Sequence, residues 1–130
     1  MIKILVLGAG AVGLGLSSFL LQSGCSVTIV GRKDTVNLLR DRGLNRIGIF
    51  GEFYSPPESF ETYFNLDDVP SGYHNFILIC TKSFDTETAG RQLEQFWKFG
   101  CAKVILCQNG WGNAEKISKI LTESNIYSAR

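Results

Sequence analysis

Short apolar runs alternate with amphipathic stretches along most of the chain, and glycines separate several of them. Residues 2–7 are almost all apolar and are followed by Gly8, which is typical of a strand covered on both faces of a parallel sheet. Apolar positions recur at helical spacing over residues 11–23, and Gly24 then stands where a helix often takes a left-handed cap. The pattern therefore predicts a strand, a glycine turn and a helix, followed by a second strand over residues 26–30.

The rest of the chain continues this alternation. A shorter amphipathic helix is predicted over residues 35–42, ending at Gly43, and the alternating residues 46–50 with the turn-rich residues 55–57 predict a hairpin. Further elements are predicted as follows: buried strands over residues 75–80 and 103–107, helices over residues 86–99 and 113–122, and the start of another strand over residues 125–130. Because strands alternate with helices of this length, we expect right-handed βαβ units, a mostly parallel sheet and a doubly wound α/β fold in one domain over residues 1–130.

Residues 4–31 carry no charged side chain, so a hydropathy profile would flag them as a signal peptide or a membrane helix. Four glycines interrupt this stretch: Gly8, Gly10, Gly13 and Gly15. They would weaken a helix begun at Ile4, whereas a strand, a glycine turn and a packed helix explain where they stand. We therefore expect no membrane partner and, by default, a cytoplasmic protein.

Composition excludes several classes of protein. Hydrophobic residues make up 45% of the chain and charged residues 19%, which argues against disorder. Thirteen Lys and Arg stand against twelve Asp and Glu, for a net charge of +1 without a basic run, which argues against a nucleic-acid partner. The single His74 and the four cysteines show no metal-ligand spacing, so no metal site is expected.

The cysteines are expected to be reduced thiols. Cys80 and Cys107 each fall near the end of a predicted strand. The interpretation that we favour makes both of them small core residues. The alternative is that they face a ligand crevice and are sensitive to oxidation.

Residues 8–13 read Gly-Ala-Gly-Ala-Val-Gly, a complete G-x-G-x-x-G that follows a predicted strand and opens a predicted helix. The candidate binding residues of this segment are Gly8, Ala9, Gly10, Ala11, Val12 and Gly13. Gly8 permits the tight turn, Gly10 lacks a side chain that would block a pyrophosphate, and Gly13 lets helix and strand approach each other. No Ser, Thr, Asp or Asn in the segment can cap the helix, so its first N–H groups are left for an external anion. The segment predicts a dinucleotide-binding domain of the Rossmann type; the alternative is that the glycines only make a compact turn.

Arg32 stands at the end of the second predicted strand, where NAD-preferring domains place a carboxylate that binds the ribose 2′-OH. A guanidinium there can instead bind a 2′-phosphate through paired, charge-assisted hydrogen bonds. The sequence therefore predicts NADPH rather than NADH. The alternative is that Arg32 is a solvated surface charge, which is the interpretation that we favour for Lys33, and a shift of register could bring Asp34 to the ribose.

Four segments together resemble the ketopantoate reductases, and the resemblance spans essentially the whole chain. The segments are residues 3–13, residues 30–32, Cys80-Thr81-Lys82-Ser83-Phe84-Asp85-Thr86, and Gln108-Asn109-Gly110-Trp111-Gly112-Asn113. The last two are much more specific than the glycine turn. The resemblance implies a two-domain enzyme that reduces the 2-keto acid 2-dehydropantoate to pantoate with NADPH, a step of pantothenate synthesis.

Three functional positions of that family match this sequence residue by residue. The arginine after the second strand matches Arg32, the lysine after the fourth strand matches Lys82, and the asparagine of the Q-N-G segment matches Asn109. The resemblance implies that Lys82 lies near the phosphates or the adenine, and that Asn109 holds the nicotinamide ribose and reaches the substrate. The alternatives are a surface lysine and an asparagine that only makes the turn before Gly110.

The resemblance also implies that the residues completing the chemistry are absent from this chain. The family carries its general-acid lysine and a substrate-binding glutamate in a second, helical domain, so no catalytic residue is assigned within residues 1–130. We expect a truncated piece that binds NADPH and turns over little or nothing alone. Trp111, where the family often has a smaller aliphatic residue, suits a bulkier 2-keto acid or else packs at a helix start.

Other functions remain open at this point. One alternative is a nucleotide-sensing regulatory module without catalysis. Another is a different two-domain NADP-dependent dehydrogenase, since such enzymes share similar cofactor domains and differ in the second domain. The sequence also leaves open whether the chain forms a homodimer.

Overall fold

The computed structural model of the protein describes residues 2–49, 51–70, 74–80, 103–107 and 126–128. The strands in these ranges are β1 (Lys3–Leu7), β2 (Ser26–Val30), β3 (Leu44–Arg46), β4 (Phe53–Ser55), β5 (Glu61–Tyr63), β6 (Phe76–Ile79), β7 (Lys103–Leu106) and β8 (Ile126–Ser128). The helices are α1 (Ala11–Gln22) and α2 (Lys33–Arg42), with short 3-10 helices at Pro57–Ser59 and Leu66–Asp68. The helices predicted over residues 86–99 and 113–122 lie outside the described residues.

Six strands form one parallel sheet in the order β5-β2-β1-β6-β7-β8. From β1 the chain runs outward through β2 to β5, then returns to β6 beside β1 and runs outward in the other direction through β7 to β8. This is the strand order of the doubly wound dinucleotide-binding folds, with the reversal between β1 and β6. The predicted doubly wound Rossmann fold is confirmed, and so is the strand predicted near the end of the sequence.

The central strands are buried on both faces, as their continuous apolar sequences predict. Residues 4–7 of β1 and residues 27–30 of β2 are all buried, and so are Ile77 and Ile79 of β6. Ile4 and Val6 pack into one cluster with the sheet neighbours Val27, Ile29 and Leu78. The charge-free residues 4–31 are thus a strand, a turn, a helix and a second strand. In the part of the chain that the structure describes, no helix has the length and apolar character needed to cross a bilayer.

Helix α1 packs closely on the sheet because its inner positions are small. Gly13, Ser17 and Ser18 are buried, and both serine hydroxyls are satisfied within the helix itself. The Ser17 Oγ donates to the Gly13 carbonyl at 2.7 Å, and the Ser18 Oγ donates to the Gly15 carbonyl at 2.6 Å. At the other end, the amides of Gly24 and Cys25 donate to the carbonyls of Leu21 and Leu20. These two bonds make a Schellman motif, so the cap predicted at Gly24 is confirmed.

The predicted hairpin is present, but its strands were placed wrongly. Residues 46–50 were expected to form an alternating strand, whereas β3 ends at Arg46 and pairs with β4, and the residues that follow Arg46 form the connection. Ile47 and Ile49 are 75% and 93% exposed, so their alternation does not reflect a buried face. Gly48 has a φ of +118°, a conformation that interrupts a strand. Strands β4 and β5 were not predicted, since each has only three residues and they flank the prolines.

Arg46 holds the β3-β4 hairpin against α1. Its guanidinium lies over the Phe19 ring, 3.9 Å from the centroid, and donates to the Ser18 Oγ at 3.2 Å and to the Gln22 side-chain oxygen. The same side chain donates to the Gly51 carbonyl at 3.1 Å, which ties down the hairpin connection. One half-buried arginine therefore joins two elements that are distant in sequence.

Replacing Arg46 with Met should destabilise the domain by about 2 kcal/mol, because a cation–π contact and several charge-assisted hydrogen bonds are lost together. This corresponds to a fall of about 8 °C in Tm for a domain of this size. Thermal unfolding followed by circular dichroism measures the change. Arg42→Met is the matched control, since the Arg42 side chain is 78% exposed and makes one 3.8 Å ion pair with its neighbour Asp41. Equal Tm values for the two variants would show that Arg46 does not hold the hairpin.

Candidate dinucleotide-binding site

The carboxyl ends of four parallel strands meet at one edge of the sheet. The ladders continue one residue past each strand: the Gly8 amide donates to the Val30 carbonyl at 2.8 Å, and the Cys80 amide donates to the Leu7 carbonyl at 2.8 Å. The Cys107 amide extends the ladder from the other side, donating to the Ile79 carbonyl at 2.9 Å. Ligands of open α/β sheets bind at this edge, where the strand order reverses. Here the reversal lies between β1 and β6, directly beside the glycine turn.

The glycine turn is closed by a backbone contact that no other residue allows. Gly8 has a φ of +111°, which turns the chain sharply out of β1. A Cβ placed on Gly13 would lie only 1.9 Å from the Gly8 carbonyl oxygen. Gly8 and Gly13 are therefore required by the packing of the turn itself, as the sequence predicts.

Gly10 differs from the other two glycines of the motif, Gly8 and Gly13. A Cβ placed on Gly10 would meet no protein atom within 4 Å, and the residue is exposed. Internal packing therefore does not explain a glycine here. Space left open at the surface of the turn is what an approaching pyrophosphate requires.

The amino end of α1 is open to an external anion. Gly10 is the N-cap and provides no side-chain hydrogen bond, and the first turn contains no acidic residue. The N–H groups of a first helical turn have no acceptor within the helix, and the helix dipole places partial positive charge there. Ala11 is exposed and Val12 is 56% exposed, so this end of α1 faces solvent. An uncapped and exposed helix start beside a glycine turn is a phosphate-binding arrangement.

The sequence analysis missed the role of Gly31. A Cβ placed on Gly31 would lie 2.4 Å from the Cβ of Ala9, so the chain leaving β2 passes directly over the glycine turn. The Gly31 amide donates to the Tyr63 carbonyl at 3.1 Å, which holds this crossing point to β5. The signal in the sequence that could have revealed this crossing is a glycine directly after β2, the strand that neighbours β1. It brings the next residue, Arg32, to the same edge as the turn.

Arg32 lies where it was predicted, at the carboxyl end of β2. It is exposed, it is the N-cap of α2 with an extended backbone, and its side chain has no hydrogen-bond or ion-pair partner among the residues that the structure describes. Lys33 and Asp34 are exposed in the first turn of α2. No register shift occurs, since β2 ends at Val30 and the Asp34 carboxylate accepts a hydrogen bond from the Thr35 amide at 2.9 Å. Asp34 therefore belongs to the first turn of α2, two residues beyond Arg32.

Two thiols lie at the same edge. Cys80 and Cys107 directly follow β6 and β7, are both half-buried, and pack against the cluster that contains Ile4 and Val6. The thiols thus border the core, as the favoured interpretation predicts, and they lie at the carboxyl edge of the sheet. That they face a ligand and are sensitive to oxidation stays a prediction. The hydrogen bond from Cys80 lowers the pKa of the Cys107 thiol to about 7. The same hydrogen bond, together with burial, raises the pKa of the Cys80 thiol.

Two predicted site residues fall on parts of the chain that the structure does not describe. These are Lys82 and Asn109, and their neighbours Thr81, Gln108 and Trp111 also lie outside the described residues. In sequence, Lys82 comes two positions after Cys80, and Asn109 comes two positions after Cys107. The structure thus fixes the strand ends from which these two segments continue.

The fold and the glycine turn together define a dinucleotide-binding domain of the Rossmann type. Comparison with known families shows which family of such domains this is: the family described as ketopantoate reductase PanE/ApbA matches residues 4–130. The chain belongs to the ketopantoate reductase family, as the resemblance of its motifs predicted.

A curated relative supports this family assignment, and two solved structures share the fold. The chain is 29% identical to the 2-dehydropantoate 2-reductase of Aquifex aeolicus over 98% of its own length and 38% of that protein's length. Among solved structures, D-mandelate dehydrogenase with NADH and anilino(oxo)acetate has a TM-score of 0.83 at 23% identity, covering 99% of this chain and 40% of the other. A PanE/ApbA family ketopantoate reductase from Ralstonia eutropha has a TM-score of 0.80 at 22% identity, covering 98% and 40%. The structural matches show the shared fold, and the chain spans about 38% of the curated relative's length.

Proposed function

We propose that this chain is the cofactor-binding part of an NADPH-dependent reductase that converts 2-dehydropantoate to pantoate, or a related 2-keto acid to its 2-hydroxy acid. The observation that carries the proposal is the uncapped, exposed start of α1 beside the Gly8–Gly13 turn, at the edge where the sheet reverses. When bound, the nicotinamide supplies a hydride to the ketone carbon of the substrate. The same proposal places the protein in the cytoplasm and its reaction in pantothenate synthesis.

The described residues fit the pyrophosphate of a dinucleotide. The free N–H groups at the start of α1 donate to the phosphate oxygens, and the helix dipole stabilises their negative charge. Gly10 leaves the space through which the pyrophosphate approaches the backbone. Val12, an apolar side chain exposed beside this space, is covered when the ligand binds.

Arg32 gives the proposed preference for NADPH over NADH. Its guanidinium has no partner within the described part of the chain and is free to bind the 2′-phosphate. The position of Arg32 itself carries no carboxylate, so the repulsion that an acidic residue there would exert on the phosphate is absent.

Lys82 and Asn109 complete the proposed site. In sequence, each follows the carboxyl end of a central strand, Lys82 after β6 and Asn109 after β7. Both strands lie on the β6 side of the reversal, and their carboxyl ends border the edge where ligands of this fold bind. We assign Lys82 to the phosphates or the adenine, and Asn109 to the nicotinamide ribose and the substrate, because its amide both donates and accepts hydrogen bonds.

Proton delivery is not assigned to this chain. Reducing a ketone requires an acid near the carbonyl oxygen as well as a positioned hydride. Following the family resemblance, we place the acid, a lysine, and a substrate-binding glutamate in the second domain. The 130-residue chain should accordingly bind NADPH and show little or no turnover with 2-dehydropantoate.

Replacing Arg32 with Ala should weaken NADPH binding about tenfold to thirtyfold while leaving NADH binding within about twofold. Charge-assisted hydrogen bonds contribute roughly 1.5–3 kcal/mol, and about 1.4 kcal/mol corresponds to a factor of ten. Calorimetric titration of the chain with each cofactor measures both affinities. Lys33→Ala is the matched control, because Lys33 is a neighbouring exposed cation that we do not place on the phosphate.

Two results would contradict this assignment. An equal loss for both cofactors would mean that Arg32 does not distinguish them through the 2′-phosphate. An unmodified chain that prefers NADH would remove the argument for NADPH and favour the regulatory module instead. For the whole reaction, the full-length gene product is incubated with 2-dehydropantoate and NADPH, and the absence of NADPH oxidation would overturn the proposed activity.

A further inference from the structure

Cys80 and Cys107 are next to each other on neighbouring strands. The last register pair of β6 and β7 is Ile79 with Leu106, and the two cysteines come one position later on each strand. The ladder continues to this point, because the Cys107 amide bonds to the Ile79 carbonyl at 2.9 Å. Neighbouring strands are about 4.8 Å apart, and disulfide-bonded cysteines have Cα atoms about 4.4–6.8 Å apart. The backbone therefore already has the spacing that a disulfide needs.

The side chains also face the same way. Phe76, Leu78 and Cys80 pack against the same cluster as Ile105 and Cys107, as the alternation of a strand requires for one face of the sheet. The Cys107 thiol donates to the Ile105 carbonyl at 3.9 Å, and the Cys80 and Cys107 thiols are close enough for each to shift the pKa of the other. The neighbouring Cys80 thiol lowers the pKa of Cys107 to about 7, whereas the pKa of Cys80 itself is raised, so Cys107 is the thiol that ionises first.

Cys80, one member of the pair, lies beside the glycine turn. The Cβ of Cys80 is 3.4 Å from the position that a Cβ on Gly13 would occupy. The Cys80 amide donates to the carbonyl of Leu7, the residue before Gly8. A change in the position of Cys80 is therefore transmitted to both ends of the turn.

We propose that Cys80 and Cys107 form an oxidation site that a peroxide closes to a disulfide, and that closure weakens dinucleotide binding at the adjacent glycine turn. The second part rests on the proposed function. The Cys107 thiolate attacks one peroxide oxygen and breaks the O–O bond, giving a sulfenic acid and hydroxide, which is protonated to water. The Cys80 sulfur then attacks the sulfenic sulfur, loses its proton and expels a second water. Two thiols are oxidised by two electrons and the peroxide is reduced by two.

The first experiment tests the chemistry alone. The reduced chain is treated with hydrogen peroxide and digested, and the thiols are mapped by alkylation and mass spectrometry in a Cys101→Ser background. We expect a peptide pair joined through Cys80 and Cys107, with the loss of two hydrogen atoms, while Cys25 stays alkylatable. Cys25 is a matched internal control, because it is also half-buried but precedes β2, at the opposite edge of the sheet.

Single variants separate the roles of the two thiols. Cys80→Ser should stop at a sulfenic acid on Cys107, detected with dimedone, whereas Cys107→Ser should react with peroxide far more slowly. The rate for the unmodified pair should rise with pH through about 7, as the Cys107 thiolate forms. Oxygen addition at Cys25 as fast as at Cys107, or no linked peptide in a folded chain, would overturn the oxidation site.

The second experiment tests the coupling. Calorimetric titration with NADPH compares the reduced chain, the disulfide form and the disulfide form re-reduced with dithiothreitol. We expect the disulfide form to bind at least about fivefold more weakly, the lower range of typical coupling between sites, and re-reduction to restore the affinity. Equal affinities would overturn the coupling. If the reduced chain binds no NADPH, the proposed function fails, whereas the linked peptide is detected independently of any cofactor.

Discussion

Gly10→Ala should lower the affinity of the chain for NADPH by at least about thirtyfold without unfolding it. The added methyl group meets no protein atom within 4 Å, so the folded chain accommodates it. The same methyl group occupies the space through which a pyrophosphate would reach the start of α1, and overpacking by one carbon typically costs about 1–3 kcal/mol. About 2 kcal/mol corresponds to the thirtyfold loss.

Gly15→Ala is the matched control for this prediction. Gly15 also lies in α1, and a Cβ there likewise meets nothing within 4 Å, but it stands beyond the first helical turn. Its replacement should leave NADPH binding unchanged and stabilise the helix by about 0.5–1 kcal/mol. Calorimetric titration and urea denaturation of both variants separate binding from folding. If Gly10→Ala binds NADPH as tightly as Gly15→Ala does, the dinucleotide does not lie against Gly10, and the proposed site is wrong.

The elements that the sequence predicted well are those whose signals are local. For β1, α1 and β2, the apolar run, the helical spacing and the Gly24 cap all lie within or next to the element, and the structure follows them within one or two residues. The predicted helix 35–42 begins two residues earlier, at Lys33, because the chain turns into α2 directly after Arg32.

The errors arise where pairing partners are distant in sequence. Strand β5 pairs with β2 through Thr28 and Glu61, and its three residues are too few for a detectable alternation. The alternation at Ile47 and Ile49 predicted a strand, but these side chains are exposed, and the neighbouring Arg46 holds the hairpin through contacts to α1. A pattern of apolar residues does not by itself show which residues they pack against.

The site could be predicted in its motifs but not in its contacts. The G-x-G-x-x-G segment and Arg32 were found from their positions relative to strands. The crossing of Gly31 over Ala9 and the pairing of Cys80 with Cys107 depend on which strands are neighbours in the sheet, and this order becomes known only from the structure. The assignments of Lys82 and Asn109 stay predictions.

Gly13→Ala should destabilise the domain itself, by about 2 kcal/mol, in contrast to Gly10→Ala. The added Cβ would lie 1.9 Å from the Gly8 carbonyl oxygen, which is backbone and cannot rotate away. The turn must then open, and the movement disturbs the Gly8 amide, which donates to the Val30 carbonyl at 2.8 Å. The gain in helix propensity from alanine, about 0.5–1 kcal/mol, is smaller than the overpacking penalty at such a short contact.

Urea denaturation without cofactor measures this effect, because it reports on the turn independently of any ligand. The midpoint for Gly13→Ala should fall, whereas the midpoint for Gly15→Ala, two residues later in the same helix, should stay the same or rise. An unchanged midpoint for Gly13→Ala would show that the close approach of α1 to the end of β1 is not needed for stability. In that case the third glycine of the motif would act only through the ligand, and its loss should appear in NADPH titrations alone.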